Sequence, residues 1–434
     1  MNILIIFLGI TLLIRLKNKR IDKASKRILL IFIIYWFISL YLATQQIYDF
    51  NKVQTTTIII QLISIYSFIF GFLKVKINPN IQFNLKTPQF QSQVDRIMNN
   101  PLFILLLIVT TAYVISLFSI FYKSILWEGS MNIVRNAYYD DSLFGKWFRY
   151  INLFLLSPFY TVLTPLFSYY TIYKRNWIWF LSLISLIIYS SLSGGRVEYI
   201  RILLPIILIG TILTNKDSLK FNKIAVYTFF TVLVLVLMSY ISSSRYGNIE
   251  FNKENLTRGF ERTTENVVSY SVGATVAFDY SLQHNYLDQI GGPKFGMLTL
   301  SGVENIFFLA SHAIDMPYNR PSDKFFTLKS DQISISTESP NWNALYSWNF
   351  YFYHDFWIFG VIVFPFLFGY LLRRVLIKFY RTHNINYFVI LSILFYIVIF
   401  SVFDISFITS PGNIILLVVL LRISRRKSLA VKNV

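Results

Sequence analysis

Pro101–Phe121 reads PLFILLLIVTTAYVISLFSIF, 21 residues without one charge. As a helix rising 1.5 Å per residue, such a run covers about 30 Å, the hydrocarbon thickness of a bilayer. Working outward from it, comparable apolar runs fall at 2–14, 28–44, 54–73, 150–173, 176–192, 199–214, 224–241, 356–372, 386–403 and 409–421. The pattern predicts an all-α polytopic integral membrane protein with about eleven transmembrane helices. Composition agrees. Of the residues, 55% are hydrophobic and 14% charged, against about 25% charged in soluble domains. The chain has no cysteine, which excludes disulfides and thiol chemistry, and its four histidines form no zinc-binding pattern. The first run is followed by positive charge and lacks an A-x-A site, so it reads as a first span and not a cleaved signal peptide.

Charge sets the expected orientation. Arg15, Lys17, Lys19, Arg20, Lys23, Lys26 and Arg27 crowd the first loop, which places that loop in the cytoplasm. Alternating from there, the inside segments hold 25 of the 40 Lys and Arg, and only Asp22, Asp95 and Asp217 of the 21 acids. One phase of alternation fits every loop. It accounts for the formal charge of +19 without any nucleic acid. The expected orientation puts the N-terminus outside and the C-terminus in the cytoplasm. Trp147, Trp177, Trp179 and Trp357 fall at predicted span ends, as interfacial tryptophans do.

The chain divides on this reading into spans one to eight (1–241), one large periplasmic loop (242–355) and spans nine to eleven with a cytoplasmic tail (356–434). The loop is 114 residues long, and a loop of that length is kept when it folds and does something. Residues 254–283 look helical, with Val267, Val272 and Val276 among polar positions, so the loop is expected to be partly helical and to pack over the membrane.

Three clusters could carry chemistry. Ser193-Gly194-Gly195-Arg196-Val197-Glu198-Tyr199-Ile200-Arg201 stands at the outer start of the seventh span. A helix N-terminus offers free N–H groups and a positive dipole end, and Arg196 adds a fork suited to phosphate. Arg201 lies about 7.5 Å deeper, where an arginine is costly unless it faces protein or a water-filled cavity. Two such arginines would suit a diphosphate at the membrane surface. The plainer alternative pairs Glu198 with Arg201 and lets Arg196 reach lipid headgroups. The second cluster is Arg245, Arg258 and Arg262 in the large loop, which either extends that positive pocket or pairs with Glu254, Glu261 and Glu265. The third is the aromatic run Trp342, Tyr346, Trp348, Tyr351, Tyr353, His354, Asp355 and Trp357. Its aromatic faces suit sugars as well as they suit interfacial anchoring. His354 and Asp355 are titratable groups at the membrane edge, either of which could serve as a general base or orient one. No P-loop, dinucleotide fingerprint, H-E-x-x-H or G-x-S-x-G is present.

The layout and two of these motifs resemble the oligosaccharide repeat-unit polymerases, the O-antigen polymerase class of bacterial envelope enzymes. One match is the small-residue–arginine start Ser193-Gly194-Gly195-Arg196. The other runs from Asn341 to Gly369, where an aromatic stretch leads into Asp355-Phe356 and then Gly360 and Gly369. In the family the Asp-Phe pair is usually followed by glycine; here Trp357 stands in that place. The resemblance implies a GT-C-like membrane glycosyltransferase working at the periplasmic face without metal or other cofactor. A growing glycan would leave its undecaprenyl diphosphate and join the non-reducing end of a new lipid-linked repeat, with membrane lipids and a chain-length regulator as further partners. Arg196, Arg201 and Arg245, supported by Arg258 and Arg262, would hold the diphosphate. Trp342, Trp348, Tyr351 and Tyr353 would contact sugar. Glu198, His354 and Asp355 are then the candidates for activating the acceptor hydroxyl, and the sequence does not choose among them.

An O-antigen ligase would share the donor and differ in the acceptor consumed. A transporter or flippase would show paired halves and broken mid-membrane helices, and no internal repeat is present. A structural assembly factor would not need arginines at membrane depth.

Overall fold

The computed structural model describes residues 5, 8–9, 11–12, 21–46, 49–75, 87–139, 142–192, 197–213, 221–245, 252–314, 316, 318–320, 322–323, 325, 333–336, 346–402 and 410–430. Among them regular structure is helical throughout, apart from one isolated antiparallel bridge between Phe50 and Ser336. In chain order the helices are α1 (Lys23–Ala43), α2 (Thr55–Lys74), α3 (Pro88–Met98), α4 (Pro101–Glu128), α5 (Met131–Tyr139), α6 (Lys146–Ile151), α7 (Ser157–Tyr173), α8 (Trp177–Ser191), α9 (Val197–Leu213) and α10 (Phe221–Ser244). There follow α11 (Lys253–Gln283), α12 (Tyr286–Gln289), α13 (Ser301–Ala313), α14 (Trp348–Thr382), α15 (Ile385–Phe400) and α16 (Pro411–Ala430).

Among the described residues five stretches are long and apolar enough to cross a membrane: α1, α2, α4, α14 and the run Trp147–Tyr173, in which a π-helical turn at Asn152–Leu156 joins α6 to α7. Shorter apolar helices coincide with the other expected spans, except that the first, 2–14, lies mostly outside the described residues. The outer surface supports an embedded protein. Leu102, Leu105, Val109 and Ile115 of α4 are all exposed. A contiguous apolar face of that kind is costly in water and costs nothing against lipid tails.

The chain forms two compact units that cut across the three-part sequence division. The first comprises Met1–Ile81, Val267–Lys378 and Leu394–Val419. Its core is aromatic. Phe32 and Phe68 stack at 4.0 Å between ring centres, and Trp348 lies 5.8 Å from Trp36 and 6.0 Å from Phe68. The α2 and α14 backbones touch because glycine stands at both crossing points. A Cβ on Gly71 would lie 2.0 Å from the Phe366 carbonyl oxygen, and one on Gly369 would lie 2.2 Å from that of Phe68. Small residues at helix crossings are how membrane helices gain contact without a hydrophobic drive. Asp22 caps α1, accepting from the Ser25 amide at 2.9 Å, and its other oxygen pairs with Arg373 at 2.6 Å. That ion pair is nearly buried, and the Arg373 guanidinium lies over the Phe72 ring.

The C-terminal half of α11 belongs to this unit and carries a polar stripe. Ser271, Thr275 and Asp279 recur every fourth residue and so share one face. The Ser271 carbonyl accepts from Ser39, Thr275 bonds Gln61, and Asp279 accepts from the Gln54 amide at 3.0 Å and the Thr57 hydroxyl at 2.5 Å. Asp279 therefore caps α2 from another helix.

The second unit comprises Gln82–Asn266, Phe379–Ile393 and Leu420–Val434. Amphipathic α3 buries Phe90, Val94 and Met98, one residue per turn, and Phe90 meets Tyr169, Phe379 and Phe388 edge-on. Phe121 and Ile125 of α4, Met131 and Val134 of α5, Tyr199 of α9, and Val234, Met238 and Ile241 of α10 make one apolar cluster. The N-terminal half of α11 packs on α10 at Gly259, where a Cβ would lie 2.0 Å from the Ser239 carbonyl oxygen.

The helix expected over 254–283 is α11. Additional elements are α3 and α5, α12 and α13 within the large loop, and a start for α14 at Trp348, ahead of the expected 356.

Candidate functional site

The arginines named from sequence lie in the second unit. Ser193–Arg196 fall outside the described residues, and so does the side chain of Glu198, whose backbone is in α9. The first placed side chain of α9 is Tyr199. It is buried in the apolar cluster, and its hydroxyl is 2.6 Å from Ser191 Oγ, which ties the start of α9 to the end of α8. Arg201 follows two residues later, on roughly the opposite side of the helix, and is partly buried. Pro205 stands four residues beyond and has no N–H to give the Arg201 carbonyl, so the ladder is interrupted at this arginine. Arg245 directly follows α10, with its amide donating to the Ile241 carbonyl at 3.2 Å. Arg245 Nε and one Nη of Arg262 are withdrawn from solvent. Arg258 differs: it is exposed and pairs with Glu254 at 2.5 Å across one turn of α11. Arg201, Arg245 and Arg262 are thus partly buried cations, and Arg258 belongs to the solvated face.

The aromatic run and its acids lie in the first unit, where Trp342 is outside the described residues. Trp348 is a core residue, wholly buried against Trp36 and Phe68, with its amide donating to the Ser401 carbonyl at 2.9 Å. Tyr351 is buried beside Phe325, and Tyr353 stays partly exposed, edge-on to Phe278. Of the three described residues proposed to contact sugar, only Tyr353 keeps appreciable access.

Asp355 and His354 occupy the end of a short first helix within α14. The helix breaks immediately after them: Phe356 has φ −142° and ψ 20°, and Trp357 has φ 57° and ψ −147°. The second pair of angles is a glycine conformation, strained for any residue with a Cβ. The break folds the second helix back so closely that a Cβ on Gly360 would lie 2.0 Å from the Phe352 carbonyl oxygen. A turn at 294–300 docks onto the break. The Lys294 and Phe295 amides donate to the His354 and Asp355 carbonyls at 3.1 and 3.0 Å. The Asp355 carboxylate accepts from the Leu298 and Thr299 amides at 3.0 and 2.6 Å. Fully buried, Asp355 acts as a cap for the chain entering α13.

His354 is also fully buried, with its ring against Phe350 and Phe325 at 4.7 and 5.5 Å between centres. Its Nδ1 is 2.6 Å from the Phe350 carbonyl oxygen. A carbonyl only accepts, so Nδ1 carries the proton, and in neutral imidazole Nε2 then holds the lone pair. Nε2 has no hydrogen-bond partner among the described residues. Five residues earlier on the same helix, buried Asn349 has both amide atoms without a hydrogen-bond partner among the described residues. Sequence reasoning did not single out Asn349, nor the stripe of Ser271, Thr275 and Asp279. The four-residue spacing of the stripe was a readable signal; Asn349 offered none.

Fold and surface define an α-helical membrane protein. Compared with family models, curated proteins and solved structures, the chain has no match in any of the three.

Proposed function

We propose that this protein polymerises undecaprenyl-diphosphate-linked oligosaccharide repeat units at the periplasmic face of a bacterial inner membrane, as an eleven-span, GT-C-like glycosyltransferase. The observation that carries the reading is the break in α14. Asp355-Phe356 is followed in the resembled polymerases by glycine, and in this chain the residue there, Trp357, adopts a glycine backbone with φ 57°. Gly360 and Gly369, which complete the same motif, stand where any Cβ would meet a carbonyl oxygen within 2.0 and 2.2 Å. At Trp357, Gly360 and Gly369 the backbone of this chain therefore gives a physical reason for glycine.

Partly buried arginines support the same chemistry. A diphosphate leaving group gains charge as the glycosidic bond breaks, and prepositioned cations stabilise that charge. Arg201, Arg245 and Arg262 are such cations, and Arg196 joins them from the sequence motif alone; Arg258, already paired with Glu254, is the weakest member of the set. Among the three candidate bases His354 is favoured. Its tautomer is set by Phe350 and its Nε2 lone pair is uncommitted among the described residues, whereas both Asp355 oxygens serve backbone amides. The test is incubation of purified protein with a lipid-linked repeat unit. A ladder of lengthening lipid-linked glycans is expected. Unchanged repeat units, or transfer only when a lipid A-core acceptor is added, would refute polymerisation.

A further inference from the structure

The search for sites outside this chemistry leads to the flank of the α10–α11 crossing. Beside the Ser239–Gly259 contact, residues of both helices line a groove of about 480 Å³. Val232, Leu235 and Val236 form one wall and Leu256 and Phe260 the other, so the lining is almost wholly apolar. Val232, Leu235 and Phe260 are themselves exposed. The groove therefore opens outward at an exposed apolar face of α10, a surface suited to hydrocarbon. Its volume is within the range of about 300–1,000 Å³ typical of small-molecule sites.

One end is different. Lys253 lines the groove at the first turn of α11 and has no ion-pair partner among the described residues. The neighbouring charges, Glu254 and Arg258, neutralise each other at 2.5 Å. The groove thus presents a long apolar trough ending in one uncompensated cation, with the positive end of the α11 dipole adding to it. This is the complement of an amphipathic anion with one charged end and one hydrocarbon tail.

We propose that the groove holds one anionic phospholipid, with an acyl chain lying along Val232, Leu235 and Phe260 and its phosphate beside Lys253. None of the groove-lining residues is among those assigned to glycan transfer, and the proposal does not rest on the polymerase reading. It is tested on full-length protein in nanodiscs of equal phosphatidylglycerol and phosphatidylcholine, followed by mild delipidation and native mass spectrometry of retained lipid. Wild-type protein is expected to retain one phosphatidylglycerol in preference to phosphatidylcholine. Lys253→Gln, at an exposed position, should lower that preference about fivefold, the effect of one basic residue at an anionic membrane surface. Val232→Trp, which fills the trough from an exposed position, should lower retention of both lipids while circular dichroism stays unchanged. Equal retention of the two lipids by wild type, wild-type behaviour of either variant, or retention of a second copy of the chain in place of lipid would overturn the proposal.

Discussion

His354 and Asp355 are adjacent, equally buried and chemically different in what they have left to offer. Both Asp355 oxygens accept backbone amides, at 3.0 and 2.6 Å, while His354 Nε2 is uncommitted among the described residues. Asp355→Ala leaves two buried N–H groups without an acceptor, at about 1–3 kcal/mol each, so it should lower the melting temperature and folded yield in detergent. His354→Asn keeps a donor near the Nδ1 position and removes the Nε2 lone pair. It should reduce polymer per folded molecule by about 10²–10⁴-fold, the usual contribution of a general base, with a smaller loss of stability than Asp355→Ala. The reverse pattern, stable Asp355→Ala without activity and active His354→Asn, would exchange the two roles. Trp357 makes a separate case. Its φ of 57° with ψ of −147° costs about 1–3 kcal/mol for a residue with a Cβ, and roughly half its surface faces outward. Trp357→Gly should therefore raise the melting temperature in detergent and Trp357→Ala should not; equal or lower values for both would show that the backbone there is unstrained.

At the level of elements, the α2–α14 crossing depends on two glycines at which a Cβ would sit 2.0 and 2.2 Å from a carbonyl oxygen of the facing helix. Neither oxygen is the end of a flexible side chain, so the backbones must part. Gly71→Ala and Gly369→Ala should each cost at least about 1–3 kcal/mol, the range for overpacking, read as loss of monodisperse protein on size exclusion; wild-type profiles for both would mean the helices do not touch there. The helices themselves were legible in the sequence because apolar runs of sufficient length have few alternatives, and the α11 pattern was legible from its valines. The start of α14 was not. Asn349, His354 and Asp355 interrupt the apolar run, and only the fold shows that the turn at 294–300 and the α13 entry satisfy the aspartate. The break was hidden for a related reason: tryptophan gives no sequence signal for a positive φ. The short helices α3 and α5 escaped because nine to eleven residues fall below the window that finds spans. In the candidate site, sequence picked out Arg201 by its cost at depth and the loop arginines as a cluster, yet could not tell partly buried Arg262 from exposed, paired Arg258 one turn away.

For the whole molecule, the proposed topology rests on charge asymmetry: the segments read as inside carry 25 of the 40 basic residues and three of the 21 acids. Reporter fusions at 20, 85, 218 and 378 should report cytoplasm and those at 140, 250 and 330 periplasm, in keeping with the positive-inside rule. A periplasmic signal at 378 would break the alternation and move the α14 break to the wrong side for lipid-linked periplasmic substrates. The proposed glycan transfer needs arginines to meet leaving-group charge, and Arg201 is the one of the proposed set whose described side chain lies within an apolar helix. The most direct measurement is ladder formation by purified wild type, Arg201→Ala and Arg201→Lys, each normalised to folded protein. A ladder from wild type, a loss of about 10²–10³-fold for alanine as for removal of one transition-state donor, and partial rescue by lysine, which keeps the charge and loses the fork, are expected. No ladder from wild type, or a wild-type ladder from Arg201→Ala, would contradict it.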